Sequence, residues 1–264
     1  LKILGPMLLR EAPAGLRAAR RAQAICSQYG VPPLSLPQIL NAPGDLAISY
    51  TSRYFQPYAD RVSDTVHFVG WTLRENLTEA PFSFEQAEGR RLIYVSLGSL
   101  VGAPAAFFQT CIDAFAGGDD FALISTGRRF GADEFGALPP NVAVQPWVPQ
   151  AQVLRRAALF VTHGGLGSVH DGLYCGLPLL VVPQQEEQLL TARRVVELRA
   201  GLLLRKGDVT VASIRAHAAR LLAEPNFARE AGRIGETLRT AGGVARAADD
   251  IEHLLAARQN GGKT

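Results

Sequence analysis

Between residues 92 and 198, short wholly apolar runs alternate with longer stretches whose apolar positions recur every three or four residues. The runs at 92–97, 121–125, 142–145, 159–162 and 179–182 are too short for helices and predict strands. The stretches at 104–116, 149–156, 167–175 and 186–198 predict helices between them. A strand that is apolar on both sides needs cover on both faces. The rhythm therefore predicts βαβ units forming a Rossmann-like, doubly wound parallel sheet, an α/β fold.

Outside that block the pattern changes. Residues 12–29 predict a helix ended by Gly30 and the Pro32-Pro33 pair, and 45–50 and 65–69 predict short strands. Residues 71–89 lose periodicity and gain polar residues, as a linker does. Helical spacing returns at 211–222, 227–239 and 244–258, with breaks expected at Pro225 and Gly242-Gly243 and a fraying tail from 259. The expected organisation is a first segment at 1–70, a linker at 71–89, a main domain at 90–242, and a C-terminal helix and tail at 243–264.

Composition narrows the function. At 264 residues the chain can bury roughly 70–75% of its unfolded surface. The balance of 27 basic and 24 acidic side chains gives +3, with no dense Lys/Arg block to track nucleic-acid phosphates. No apolar run reaches transmembrane length, so no membrane partner is expected. Cys26, Cys111 and Cys175 are scattered and odd in number, which fits a reducing, cytoplasmic compartment better than a disulfide framework. Were Met7 an initiator, residues 7–21 would resemble an Arg-rich transit peptide. A helix with Arg on its wet face explains the same letters. The start at Leu1 points to a piece of a longer polypeptide.

The candidate chemistry is concentrated in two stretches, Trp147-Val148-Pro149-Gln150 and Thr162-His163-Gly164-Gly165-Leu166-Gly167-Ser168. Both lie at the carboxyl ends of predicted strands. An indole suits a flat base, and a glycine turn opening a helix aims free N–H groups at an anion, aided by the helix dipole. Gly164, Gly165 and Gly167 lack the side chains that would keep a phosphate away, and Ser168 adds a hydroxyl. These features predict a nucleotide-sugar-binding module.

Competing chemistries fit less well. His163, Ser168 and Asp171 lack the Gly-x-Ser-x-Gly elbow of a hydrolase, and no lysine follows Gly167 as a kinase-type phosphate loop requires. A dinucleotide fingerprint places its glycines after the first strand, whereas these come late in the sheet. The five histidines (His67, His163, His170, His217, His253) lack ligand spacing and there is no Asp-x-Asp pair, so no metal is expected.

The residues from 92 to 251 resemble the C-terminal donor domain of family 1 glycosyltransferases, in particular the bacterial macrolide glycosyltransferase group. The matching text is VSLGS at 95–99, PPNV at 139–142, WVPQ at 147–150, FVTHGGLGS at 160–168, GLPLLVVPQQEEQ at 176–188 and AGGVARAADDIE at 241–252. YFQP at 54–57 and VHFVG at 66–70 are similar, less specifically, to the end of the family's N-terminal domain. The resemblance implies the C-terminal half of a GT-B fold with a partial N-terminal domain. It also implies inverting, metal-independent transfer from a UDP- or TDP-linked sugar to a hydroxyl of a small-molecule acceptor, without a cofactor.

Residue by residue, the resemblance implies that Trp147 stacks on the base, with Val148 beside it, and that Gln150 meets the ribose. His163 donates to the β-phosphate, and Gly98-Ser99 lines the diphosphate pocket. Asp171 stands where the family carries a ribose-binding glutamate, and its arm is shorter. Glu187-Gln188 stands where the family has Asp-Gln reaching the transferred sugar, and its first arm is longer. Blander roles compete at each position: a core aromatic for Trp147, a satisfied core histidine for His163, a simple βα turn for Gly98-Ser99 and a solvated helix start for Glu186-Glu187.

The family's general base is a histidine near the start of the N-terminal domain, which would precede Leu1. His67, in the last strand before the linker, is no substitute. The chain is therefore expected to lack the base and most of the acceptor pocket. Either an N-terminal domain belongs to the same polypeptide, or the chain is a non-catalytic donor-binding subunit acting with a separate acceptor-binding protein. A nucleotide-sugar epimerase of similar fold would need cleft carboxylates that the sequence does not offer.

Overall fold

The structure is a computed structural model that describes residues 4–32, 44–73, 81–98 and 103–261. The chain separates into two compact units. One comprises the residues up to Ala47 with Ser63–His67, and the other Ile48–Val62 and everything from Phe68 onward. Residues 48–62, expected with the first segment, thus group with the main domain.

In the first unit the helix begins earlier than its pattern suggested, as α1 at Leu4–Gln28. Gly30 ends it at φ 65°, with Val31 N donating to Cys26 O and Gly30 N to Ser27 O. This paired closure satisfies the last carbonyls and needs a residue tolerant of positive φ. Two three-residue strands, each with residues assigned to both units, come next along the chain, β1 (Ala47–Ser49) and β2 (Val66–Phe68), inside the predicted ranges.

The second unit is built on a six-stranded parallel sheet. Its strands are β3 (Leu92–Ser96), β4 (Phe121–Ser125), β5 (Val142–Gln145), β6 (Ala157–Thr162), β7 (Leu179–Val181) and β8 (Gly201–Leu203), in spatial order β5-β4-β3-β6-β7-β8. Every residue of β3 and β4 is buried, as the unbroken apolar runs required. Alternate residues feed two cores. Ile93, Val95, Ile124, Val161 and Leu180 pack under α2 (Ala105–Phe115) and α6 (Val211–Ala223). Tyr94, Leu123, Phe160, Leu179 and Val181 pack under α3 (Gln150–Arg156), α4 (Leu166–Tyr174), α5 (Glu186–Glu197) and α7 (Pro225–Thr240). The expected doubly wound sheet is what the chain forms. Asn141 pins its outer edge: the buried amide donates to Phe115, Gly118 and Asp120 carbonyls and accepts from Gly117 N.

Three expectations shift. β8 was not foreseen, because Gly201-Leu202-Leu203 is short and opens on glycine. Pro225, expected as a break, is the first residue of α7, where its missing N–H is not needed. The last helix, α8, covers Gly243–Gly261, two glycines included. The stretch read as a linker is tied down where described. Trp71 N donates to Leu238 O, and Phe82 N to the Gln152 side chain.

Two predictions follow from close approaches and burial here. A methyl at Gly235 of α7 would overlap the Leu173 carbonyl oxygen of α4, whereas Gly232 on the same helix has open space. Gly→Ala inside a helix gains up to about 1 kcal/mol, and overpacking costs about 1–3 kcal/mol. Gly235→Ala should therefore lower stability and Gly232→Ala raise it, read as opposite shifts of the urea midpoint. His170 of α4 is fully buried, and burial pushes its pKa down from 6.5 to about 4. Between those values the unfolded chain binds a proton the folded one refuses, so stability should fall as pH drops from 6.5 to 4. The loss is on the order of 3 kcal/mol, and urea melts of His170→Phe should lack it.

Candidate functional site

The sheet order places the first strand of the main domain, β3, beside its fourth, β6, with Ser96 and Thr162 as register partners at their carboxyl ends. Connections leave these two neighbours in opposite directions, and the crevice so formed is where doubly wound sheets receive ligands. Gly98 follows β3 and His163 follows β6, so the sequence-predicted residues come together at this point. The glycine turn comes late in the chain, yet the topology brings it beside the first strand.

The absence of side chains around His163 is a geometric necessity. A Cβ on Gly98 would lie 2.9 Å from the imidazole Cε1, and one on Gly165 would lie 2.5 Å from Nε2. Gly98 also has φ 76° and Gly164 φ 88°, conformations that side chains resist. A Cβ on Gly164 would meet Val181 at 2.6 Å and the Gln188 carbonyl at 3.1 Å. Burial holds the His163 imidazole below its ordinary pKa, and the Glu187 carboxylate pulls it partly back up. Its Nδ1 is enclosed with no hydrogen-bond partner among the described residues. The ring is therefore a neutral, half-buried donor at pH 7.

Gly165 caps α4 with no side-chain hydrogen bond, which leaves the first N–H groups of that helix to other partners. Gly167 faces the indole of Trp71, 3.7 Å from where its Cβ would stand. Ser168 is half-buried in the same first turn, and Ser99 lies outside the described residues. On α5 Glu187 is exposed in the first turn. Gln188 is buried, its Oε1 accepting from Gln184 N and Gln185 N, so that oxygen caps the helix.

A second cluster is built around Asp171, one turn further along α4. Gln150 Nε2 donates to Asp171 Oδ2 at 2.8 Å, and Trp71 Nε1 donates to Asp171 Oδ1 at 2.7 Å. The Tyr94 hydroxyl donates to Gln150 Oε1 at 3.4 Å. Burial raises the Asp171 pKa, opposed by the bonds from Trp71 and Gln150. Trp147, on the loop leaving β5, keeps 47% of its surface exposed, whereas the Val148 side chain is buried in the second core, which leaves only its backbone for a ligand. Sequence reasoning did not single out Trp71 or Tyr94. Trp71 lies 100 residues from Asp171, inside a stretch without periodicity, and nothing in its local spacing signals the contact.

Among the described residues no group of three or more His, Cys, Asp or Glu could hold a metal ion, and no helix is long and apolar enough to cross a membrane. Of the cavities, one of about 270 Å³ lies under Phe82 and Phe84, away from this edge. A groove of about 420 Å³ beside it is lined by Gln184, Gln185, Arg193 and Lys206.

The chain is similar to known proteins in sequence and in fold. An uncharacterised UDP-glucosyltransferase of Bacillus subtilis is 32% identical over 86% of this chain and 58% of its own length. Demethyllactenocin mycarosyltransferase of Streptomyces fradiae is 32% identical over 92% of this chain and 52% of its own. The chain thus spans little more than half the length of these relatives. The crystal structure of the glycotransferase of kitacinnamycin superposes with a TM-score of 0.82 at 33% identity, covering 94% of this chain and 67% of that one. The glycosyltransferase VinC, solved in complex with dTDP, gives 0.53 at 27% identity, covering 63% and 42%. These neighbours place the six-stranded unit as the C-terminal half of a GT-B fold. The profile of the erythromycin biosynthesis protein CIII-like C-terminal domain matches residues 116–252, from the end of α2 into α8, and the chain belongs to that family of the family 1 glycosyltransferases.

Proposed function

We propose that this chain is the nucleotide-sugar-binding part of a glycosyltransferase, holding a UDP- or TDP-linked sugar for inverting transfer to a hydroxyl of a small-molecule acceptor. The observation that carries the reading is the convergence of Gly98, His163, Gly164, Gly165 and the uncapped start of α4 at the β3/β6 crevice. The diphosphate sits against those N–H groups, with the Ser168 hydroxyl beside them. The base stacks on Trp147, Gln150 lies towards the ribose, and Glu187 and Gln188 lie towards the transferred sugar.

In the transfer, the acceptor oxygen bonds to the anomeric carbon as the bond from that carbon to the β-phosphate oxygen breaks. The departing diphosphate takes the electron pair, and its charge is met by the helix start and the His163 N–H. No metal is needed for that task. The acceptor's proton goes to a base outside the residues assigned here, supplied by an acceptor-binding domain or subunit. The three cysteines, none of them in a disulfide, suit a cytoplasmic setting.

Calorimetry with uridine or thymidine diphosphate, and with the bare nucleosides, tests the reading. Trp147→Ala should weaken both by about 1–3 kcal/mol, the range for one base–aromatic stack. His163→Ala should weaken the diphosphate by about 1.5–3 kcal/mol and leave the nucleoside unchanged. Equal losses for both ligands, or no binding at millimolar ligand, would overturn it.

The electrostatics of His163 give a separate check. Removing the carboxylate that raises its pKa should let that pKa fall further, so Glu187→Gln moves the imidazole titration to lower pH by NMR. Diphosphate binding should move it the opposite way, because an anion favours the imidazolium. An upward shift in Glu187→Gln would contradict the arrangement.

A further inference from the structure

The carboxylate of Asp171 already has a donor on each oxygen, the indole N–H of Trp71 at 2.7 Å and the amide of Gln150 at 2.8 Å. Both bonds are charge-assisted and lie in a half-buried site on α4, where such bonds are strongest. Trp71 can only donate and an ionised carboxylate can only accept, so the direction of this chain is unambiguous. Gln150 must therefore present Nε2 to Asp171. Its Oε1 faces the Tyr94 hydroxyl, which is fully buried, held protonated by a pKa pushed up to about 12, and available as a donor. An isolated glutamine amide can flip end for end at little cost. This one is held from both ends, and among the described residues one N–H and one lone pair are left for a ligand.

Trp71 makes the clamp rigid. Its own backbone N–H is bound to Leu238 O, its ring centroid lies 5.2 Å from that of buried His170, and its edge lies against Gly167. His170 is in turn tied through Nε2 to the Thr51 hydroxyl and packed edge-on against Phe55. Asp171 thus stands on a fixed backing and points at Gln150.

We infer that Asp171 is a positioning residue: it fixes the Gln150 amide in one orientation at the ribose side of the nucleotide site, and does not itself receive a ribose hydroxyl. The inference rests on the nucleotide reading proposed above. It gives Asp171 a job that its short arm permits, since the carboxylate already meets the Gln150 amide at 2.8 Å.

A double-mutant cycle on the whole chain tests it. Uridine diphosphate affinity is measured by calorimetry for Gln150→Ala, Asp171→Asn and the pair. Each single change should weaken binding roughly two- to tenfold, the range for one lost hydrogen bond. The pair should be no weaker than Gln150→Ala alone, because Asp171 acts only through Gln150. Losses that multiply would mean direct contact with the ribose and would overturn the inference. So would an unchanged affinity with a lowered unfolding midpoint, which would mark Asp171 as merely structural. A second readout does not depend on nucleotide binding. The Gln150 side-chain amide should be ordered by heteronuclear NOE in the parent chain and mobile in Asp171→Asn. An amide equally ordered in both sinks the inference whatever the nucleotide does, and no binding by the parent chain together with loss of order would sink the nucleotide reading alone.

Discussion

Space denied to side chains is the constraint on which the rest of this structure depends. Methyl groups at Gly98 and Gly165 would both press on the Cε1–Nε2 edge of one imidazole, and a methyl at Gly164 would press on Val181 and Gln188. The segments after β3 and after β6 can lie against His163, and the start of α5 can approach Gly164, only because those positions carry hydrogen alone. What that closeness creates is an edge where the uncapped start of α4 lies beside one neutral imidazole. Such an edge suits a diphosphate better than a cluster of flexible cations would, because its donors are fixed before the ligand arrives.

The sheet makes that edge inevitable. Strands buried on both faces demand helices above and below, and right-handed crossovers then force the chain to run outward from β3 in one direction and from β6 in the other. The gap between the two directions is the crevice. Burial of Leu92, Ile93, Tyr94 and Val95 in two separate cores is thus the energetic reason that Gly98 and His163 meet, although 65 positions separate them in sequence.

Much of this was legible in the sequence, and the limits of legibility are physical. The ranges 121–125 and 142–145 coincide with β4 and β5 because apolar runs bounded by turn residues leave little alternative. The order of strands, the late glycine turn and its neighbours were visible as motifs. β8 was not, since a glycine-led tripeptide has no periodicity to detect, and its place is set by the close approach of Gly201 to Leu179. The hydrogen-bonded clamp on Asp171 was invisible for a different reason. Its parts, Trp71, Tyr94, Gln150 and Asp171, come from a loop and three elements spread over 100 positions, and only the fold brings them together.

Helix α4 shows how one element can serve both ends of the proposed nucleotide site. Its first turn is left uncapped at the crevice, while Asp171, on the next turn, is bonded to Gln150. For this to work the helix must not slide. Gly172 lets it lie directly on the sheet, where a methyl would be 2.8 Å from Leu179 and 2.9 Å from Phe160. Gly235 lets α7 close on it from the other side at Leu173, and His170 anchors it to Thr51. A glycine on each of two packing surfaces and one buried side-chain bond therefore fix the register of α4. With that register fixed, the spacing between the two ends of the proposed nucleotide site is a property of the scaffold, settled before any ligand arrives.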